Sequence, residues 1–151
     1  MTEMTKREIR KFLMHGTFTG KLATINKDGS SHIVPIWYIL ENHNKSRRAE
    51  DIVFTTNGKS VKAKNIQRDN RVSVCVDDQT PPFSFVIVHG LAKIHHYEQH
   101  KLFTVATKIA KRYMGKDDAE DYGRRNSTAG EVLVRIKPRR IIAEKNIASW
   151  N

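Results

Sequence analysis

Short segments with strand character follow one another along most of this 151-residue chain, and turns separate several of them. TFTGKLATI leads through Asn26-Lys27-Asp28-Gly29 into HIVPIWYIL, and Asp28-Gly29 supplies the positive φ that a tight hairpin needs. Further segments of this kind are DIVFTT, RVSVCVDD, FSFVIVHGLAKIH, EVLVRI and RIIAEK. Because consecutive strands joined by turns pair antiparallel, the sequence predicts one α+β domain over residues 1–151, mainly an antiparallel β-barrel of about seven strands.

Three helices are expected around this barrel. Thr5 and Glu8 form a capping-box pair ahead of an apolar stripe, which predicts a short N-terminal helix. A second helix is expected from Ser60 to near Asn70. The longest helix is expected over residues 97–114, where apolar residues recur with a period of about 3.6.

Two residues predict interruptions within the strands. Pro35 lacks the N–H of a sheet ladder, so it belongs on an edge strand or at a bulge. Gly90 lies inside the long segment FSFVIVHGLAKIH and indicates a bend or bulge where the barrel turns a corner. The segments EVLVRI and RIIAEK are expected to form two strands, one on each side of Pro138.

The charge of the chain constrains its partner more than its fold. There are 27 Lys and Arg residues against 16 Asp and Glu residues, and the formal net charge of +11 at pH 7 favours an anionic partner. Nucleic acid, an anionic membrane surface and a phosphorylated small molecule all carry the required charge, although the sequence shows no nucleic-acid-binding motif. A generally basic, solvated surface is the alternative.

The expected compartment is the cytoplasm, without a membrane anchor. No apolar segment approaches the ~18 residues that a membrane helix needs, and the N-terminus lacks the apolar core of a signal peptide. The single cysteine, Cys75, has no partner for an internal disulfide, which favours a reducing environment. His95, His96 and His100 have a spacing that a metal site can use, but no suitably placed carboxylate completes a ligand set, so no metal is expected.

The densest polar pattern is FTTNGKSVKAKNI, residues 54–66, where a strand ends and a helix begins with Ser60. The free N–H groups of a first helical turn form a ready anion site. Lys59, Lys62 and Lys64 bring cations to the same end, although they oppose the helix dipole there. The segment therefore predicts either a phosphate-binding turn or a solvated basic helix face. It lacks the Walker pattern of a nucleotide P-loop.

Several motifs together resemble the split β-barrel flavin and deazaflavin proteins related to pyridoxamine 5′-phosphate oxidase. In the oxidase the run is similar to T-N-x-x-S-x-K-x-K-x-L, and this chain matches it at Thr56, Asn57, Ser60, Lys62, Lys64 and Ile66. Upstream, GKLATINKDGSSHIVPIWYIL is similar to the family's G-x-L-A-T hairpin and V-P-x-W strand. RDNRVSVCVDD and PPFSFVIVHGLA continue the resemblance, which covers residues 8–95 well and the C-terminal third loosely.

The resemblance implies a split barrel of about six to seven strands with a cofactor phosphate at this turn. Lys62 would pair with the phosphate, with Ser60 beside it. Thr55 and Thr56 would contact the phosphate or the ribityl chain, and Asn57 follows them in the same run.

The resemblance also implies contacts to the cofactor ring. Val34, Pro35 and Trp37 would lie along the ring. Asn65 occupies a helix position that contacts the cofactor in the deazaflavin branch. Phe85 would reach the ring of a cofactor held mainly by the other subunit, because these proteins are homodimers with two sites at the interface.

Departures from the oxidase pattern bear on the choice of cofactor. The arginine that precedes the phosphate lysine in the oxidase is Val61 here, and the one that begins its second hairpin strand is His32. The oxidase's C-terminal substrate-phosphate residues are missing, so vitamin B6 oxidation is not expected. The V-P-x-W strand and the TT–K–N run look more like the branch that uses coenzyme F420. The polyanionic oligoglutamate tail of F420 suits the +11 charge better than FMN does, so the expected cofactor is F420 or FMN.

These observations lead to three hypotheses for function. The first is an F420- or FMN-dependent oxidoreductase that moves a hydride to or from a small conjugated substrate. No dedicated acid–base residue is expected in it, because the cofactor carries the chemistry. The alternative is a protein that binds or stores FMN, F420 or haem without turnover. The third hypothesis is a basic nucleic-acid-binding protein.

Overall fold

The computed structural model describes residues 2–42 and 50–150, which form eight strands and four helices. The strands are β1 (Thr2–Glu3), β2 (Gly20–Ile25), β3 (Ser31–Ile36), β4 (Ile39–Glu41), β5 (Asp51–Asn57), β6 (Arg71–Asp78), β7 (Ser84–His95) and β8 (Glu131–Lys145). The helices are α1 (Lys6–Leu13), α2 (Val61–Arg68), α3 (Gln99–Met114) and α4 (Ala119–Arg125). The protein is therefore α+β and mainly β, as predicted.

All strands belong to one antiparallel sheet whose order is β3-β2-β6-β7-β8-β5-β4, with β1 added to the end of β8. The two edge strands, β3 and β4, are joined by only Trp37 and Tyr38. If seven strands spaced about 4.8 Å apart lay flat, those edges would be roughly 29 Å apart. A linker of this length reaches about 10 Å. The sheet must therefore curl until its edges meet, which gives a barrel that is split between β3 and β4.

The barrel interior is built by alternation along the strands. Val72, Val74 and Val76 of β6 all point inward and are at most 5% exposed. Leu22 of β2 and Val86 of β7 meet them in the same apolar core. Inward residues alternate with half-exposed ones on the outer face, so Cys75 is only half-buried. Burial of these apolar side chains is the main source of stability for such a sheet.

The structure corrects two strand predictions. HIVPIWYIL is not one strand, because it breaks at Trp37 and its two halves, β3 and β4, lie at opposite edges of the sheet. The C-terminal segments are not two strands, because β8 runs continuously through Pro138. The ladder between β7 and β8 shifts register between His89 and Gly90, and Gly90 pairs with Pro138. A β-bulge at this point accommodates the proline within the strand.

Pro35 and Gly90 lie where the sequence predicts. Pro35 is on β3, the edge strand, where its missing N–H breaks no ladder on the open side. A Cβ at Gly90 would lie 2.4 Å from the backbone oxygen of Lys137, so only glycine fits this close approach of two strands.

The helices begin largely as predicted. The Thr5 and Glu8 capping box is formed at the start of α1, and Ser60 caps α2 through a hydrogen bond that its hydroxyl accepts from the Ala63 N–H. Helix α4 was not predicted, and it packs against α3 where Gly123 lies close to Thr107. Among the helices of the described residues, none has the length and hydropathy to span a membrane.

Arg112 of α3 holds the split region together. Its guanidinium donates hydrogen bonds to the carbonyl oxygens of Leu13 and Tyr38, each at 2.7 Å, and of Gly16 at 3.0 Å. The same group lies 4.6 Å from the centre of the buried Tyr38 ring. One side chain thus joins α3 to the end of α1 and to the two-residue linker between the sheet edges.

Tyr113, the next residue along α3, supports the same linker. Its hydroxyl donates to the carbonyl oxygen of Phe18 at 2.8 Å and accepts from the Tyr38 N–H at 3.3 Å. The Tyr38 hydroxyl in turn donates to the carbonyl oxygen of Leu13. Burial raises the pKa of Tyr38, so its hydroxyl keeps its proton and remains a donor.

We expect Arg112→Met to lower the free energy of unfolding by about 2–3 kcal/mol, because the carbonyl oxygens of Leu13, Gly16 and Tyr38 lose a charged donor. Lys108→Met removes one exposed charge from the same helix and should change stability by less than about 0.5 kcal/mol. Urea unfolding followed by circular dichroism measures both values. Equal stabilities for the two variants would contradict this role of Arg112.

Candidate functional site

A crevice of about 360 Å³ opens at the split of the barrel. It is bounded by the end of β3, the end of β5, the start of α2, helix α3 and the start of β8. The lining residues are Pro35, Ile36, Trp37, Thr55, Thr56, Asn57, Lys62, Ile109, Asn126 and Glu131. Six of the ten residues that the sequence assigns to cofactor binding therefore meet in one cavity: Pro35, Trp37, Thr55, Thr56, Asn57 and Lys62.

The end of β5 supplies polar groups to the crevice. Thr56 is buried, and its hydroxyl lies 3.2 Å from that of Ser60, so the strand end and the helix cap share a hydrogen bond. The Asn57 side-chain oxygen accepts a hydrogen bond from the Lys59 N–H at 2.9 Å, which shapes the turn between them. Ser60 itself is not among the lining residues, but it orients Thr56, which is.

The first turn of α2 presents unpaired donors. The Ser60 hydroxyl satisfies the Ala63 N–H, and the Ser60 carbonyl accepts from the Lys64 N–H. Within residues 2–42 and 50–150, no acceptor is paired with the N–H groups of Val61 and Lys62. Free N–H groups at a helix start favour an anion, as the sequence predicts for this turn.

Lys62 is the lysine of this segment that lines the crevice, whereas Lys59 and Lys64 are exposed. Partial burial lowers the pKa of Lys62, and the nearby Glu131 carboxylate opposes that shift. A half-buried ammonium is incompletely solvated, so a phosphate beside it would restore the lost interactions.

Glu131 faces Lys62 from the start of β8. It pairs with Asn57 in the ladder between β5 and β8. Burial raises the pKa of Glu131, and Lys62 and a hydrogen bond from Asn57 act in the opposite direction. Sequence reasoning missed Glu131 because its place depends on a strand pairing that spans more than seventy residues.

Trp37 forms the aromatic side of the crevice. Its ring stacks on Tyr113 of α3, with centres 5.3 Å apart and planes within 4°, and it meets the edge of Tyr122 of α4 at 6.1 Å. These contacts fix the orientation of the indole. Ile109 and Asn126 complete this side, and sequence analysis identified neither as a site residue.

Besides Ser60, three predicted site residues do not line the crevice. Val34 packs against the barrel core. Asn65 is 3% exposed, and its amide donates to Thr24 at 3.0 Å and to Asn26 at 2.9 Å, which ties α2 to the first hairpin. Phe85 lies on the outer face of β7, remote from the lining residues. Cofactor contacts by these three residues stay predictions.

The crevice therefore has the chemistry of a binding site for a flat molecule with an anionic arm. One end is lined by Lys62 and by the threonines at the end of β5, beside the start of α2, and the other is lined by an aromatic and apolar wall. Among its lining residues there is no histidine, cysteine or serine. The arrangement can bind and orient a reactive molecule and exclude water from it.

Solved structures with the same fold were found. A conserved hypothetical protein of Mycobacterium tuberculosis is 30% identical, with a TM-score of 0.79 over 98% of this chain and 90% of that one. An F420 reductase is 22% identical, with a TM-score of 0.64 over 87% and 94% of the two chains. The haem storage protein HutZ of Vibrio cholerae is 13% identical, with a TM-score of 0.67 over 91% and 93%.

Comparison with family models is more specific than these structural likenesses. No curated protein matches the chain significantly. The family model described as pyridoxamine 5′-phosphate oxidase matches residues 5–144, which is nearly the whole chain and includes every residue that lines the crevice. The chain therefore belongs to the pyridoxamine 5′-phosphate oxidase family.

Proposed function

We propose that this protein is an oxidoreductase that uses coenzyme F420 or FMN and transfers a hydride to or from a small conjugated substrate. The observation that carries this proposal is the crevice at the barrel split, where Lys62 and the free N–H groups of α2 adjoin the Trp37 wall. An anion site and a flat apolar slot in one cavity suit a ring that carries a phosphate.

The phosphate would lie at the start of α2. Lys62 supplies the charge, the N–H groups of Val61 and Lys62 supply directed donors, and the Thr56 hydroxyl is held toward them by Ser60. Hydrogen bonds of Ser60 to Thr56 and to the Ala63 N–H fix these groups, so little reorganisation opposes binding. Anion binding would also remove the conflict between lysines and the helix dipole.

The ring would lie between β3 and α3. When bound, such a cofactor supplies a carbon or nitrogen atom that accepts or donates the hydride. Trp37 and Ile109 would orient the ring and exclude water, and the backbone of Pro35 and Ile36 would border its edge. Because the reacting atom belongs to the cofactor, this chemistry requires no catalytic pair from the protein.

Two observations favour F420 over FMN. The net charge of +11 suits a cofactor with an oligoglutamate tail, and the position before Lys62 is Val61 where the oxidase has arginine. The likeness to an F420 reductase is compatible with this choice. The likeness to a haem storage protein keeps storage without turnover as the second candidate.

We also propose a homodimer with two cofactor sites at its interface. The outer sheet face carries Cys75, Ile87 and Ile142 side by side on β6, β7 and β8, and Ile33 on the edge strand β3 is 64% exposed. Apolar groups in a row on an open sheet face favour a second layer. Phe85 lies on this same face, so a second subunit would bring its own crevice toward it.

Titration of the purified protein with F420 and with FMN, followed by cofactor fluorescence, tests the cofactor. We expect Lys62→Ala to weaken binding by about 1–3 kcal/mol, since it removes a charge-assisted contact. Lys27→Ala removes the same charge from an exposed position in the turn between β2 and β3, which does not line the crevice, and should have a much smaller effect. Equal losses in the two variants would reject the assignment of Lys62.

Turnover separates the enzyme from the storage protein. With oxygen excluded, the protein should oxidise reduced cofactor when a conjugated acceptor is added, whereas a storage protein would bind the cofactor and leave it reduced. If neither cofactor binds and DNA is retained with an affinity that falls steeply with salt, the nucleic-acid hypothesis is correct instead.

Glu131 should make phosphate binding depend on pH. Its raised pKa means that it gains a proton at a higher pH than an ordinary carboxyl group does, and protonation removes its repulsion of the phosphate. Affinity for FMN should therefore rise as the pH falls through the raised pKa. Glu131→Gln should bind FMN roughly threefold to tenfold more tightly at pH 8, about one kcal/mol.

The FMN phosphate also titrates, so the informative quantity is the difference between the pH profiles of the wild-type protein and Glu131→Gln. Glu120→Gln makes the same change of charge at an exposed position of α4 and should follow the wild-type profile. Parallel profiles for the wild-type and Glu131→Gln proteins would show that this carboxyl group does not act on the phosphate.

The proposed dimer predicts a mass twice the chain mass of 17.4 kDa in light scattering after gel filtration. Ile87→Glu puts a charge in the centre of the outer face and should give monomers with weakened cofactor binding. Met114→Glu, at an exposed position of α3, is the control and should stay dimeric. A wild-type protein that elutes as a monomer at micromolar concentration would refute the dimer.

A further inference from the structure

A second cavity, of about 410 Å³, lies between α1 and the barrel and shares no lining residue with the crevice. Ile9 and Leu13 of α1 form one wall. The opposite wall is formed by four side chains from β4, β5, β7 and β8, namely Leu40, Ile52, Val88 and Ile141. The walls are therefore apolar on both sides. Leu13, Ile52 and Val88 at the base are at most 4% exposed, so the space extends mainly along the half-buried Ile9, Leu40 and Ile141.

The charged residues of this cavity lie at its mouth. Lys6, Arg7 and Arg10 are exposed residues of α1, and Glu50 faces them from the strand side. Arg10 is paired with Glu50. Within residues 2–42 and 50–150, Lys6 and Arg7 have no carboxylate partner, so two cations at the rim remain available to an anion.

Helical spacing explains this arrangement. Lys6, Ile9, Arg10 and Leu13 follow each other at intervals of three, one and three residues, so they share one face of α1. The apolar members reach into the cavity, and the long basic side chains extend along it to solvent. An apolar interior with a cationic rim complements a molecule that has an apolar chain and an anionic head.

We propose that this cavity binds a medium-chain fatty acid, with its chain under α1 and its carboxylate at Lys6 and Arg7. With about 30 Å³ per carbon, close to the share of a water molecule in the liquid, 410 Å³ holds roughly ten to fourteen carbons. The volume is within the usual range for ligand pockets. A nucleotide or sugar is a poor match, because the inner walls offer no side-chain hydrogen-bonding groups.

Calorimetric titration of the purified protein with dodecanoate, below its micelle concentration, tests this site. Dodecanoate should bind with one site per chain, and dodecanol, which lacks the charge, should bind roughly tenfold more weakly. Lys6→Gln/Arg7→Gln should weaken dodecanoate binding by a similar factor. Lys27→Gln/Lys108→Gln makes the same change in net charge at exposed positions elsewhere and should leave binding unchanged.

Filling the cavity gives an independent test that separates this site from the crevice. Ile141→Trp adds volume at the half-buried end of the cavity and should abolish dodecanoate binding while the protein stays folded by circular dichroism. Lys62→Ala should bind dodecanoate like the wild-type protein. Absent binding to the wild-type protein, equal losses in the two double variants, or loss in Lys62→Ala would each overturn the proposal.

Discussion

The linker of two residues between the sheet edges is the constraint on which the rest of the structure depends. Trp37 and Tyr38 join strands that stand at opposite ends of a seven-strand order, so the sheet has no flat alternative. Side chains, rather than backbone hydrogen bonds between β3 and β4, complete the closure of the barrel. Arg112 and Tyr113 hydrogen-bond to the backbone around the linker and hold the edges near each other without pairing them. The split that remains is where the crevice opens.

The same constraint makes the crevice rigid. Trp37 is both a linker residue and the aromatic wall, and Tyr113 both supports the linker and stacks on that wall. Movement of the Trp37 ring would therefore disturb the contacts that hold the two edges of the barrel together. On the opposite side, Thr56 ends a buried strand and is hydrogen-bonded to the cap of α2. A site built from strand ends and a helix start is preorganised, which lowers the cost of binding.

Local patterns in the sequence predicted most of the fold. Alternation of valines in β6, the capping box of α1 and the edge position of Pro35 each depend on neighbouring residues, so they could be read directly. The break at Trp37 could not, because apolar residues continue on both sides and no turn residue marks the change of edge. The continuous course of β8 was missed because a proline usually indicates a break in a strand. The bulge that accommodates Pro138 depends on the pairing with β7 beside Gly90, which the local sequence does not show.

Prediction of the site residues from the sequence had similar limits. The run from Thr55 to Lys62 is contiguous, so its residues were found together, and the structure brings four of them into one cavity. Asn126 and Glu131 come from distant segments that reach the crevice only through the packing of α3 and α4 and the pairing of β8 with β5. Asn65 belongs to the same segment, and its contact with a cofactor stays a prediction. It follows Lys62 on the same helix, but the helical turn directs it into hydrogen bonds with the first hairpin.

The charge balance within the crevice bears on the choice of cofactor under the proposed function. Lys62 and Glu131 nearly cancel each other, so the lining residues alone attract an anion only weakly at neutral pH. The surplus of +11 therefore lies outside the crevice, and part of it stands beside the opening at the exposed Lys59 and Lys64 of the α2 turn. A single phosphate within the crevice makes little use of those charges. A cofactor whose anionic tail extends from the phosphate along α2 would meet both of them, with attraction that decreases as salt screens it. The physical case for F420 over FMN thus depends on charges outside the crevice, which an extended tail would reach and a compact cofactor would not.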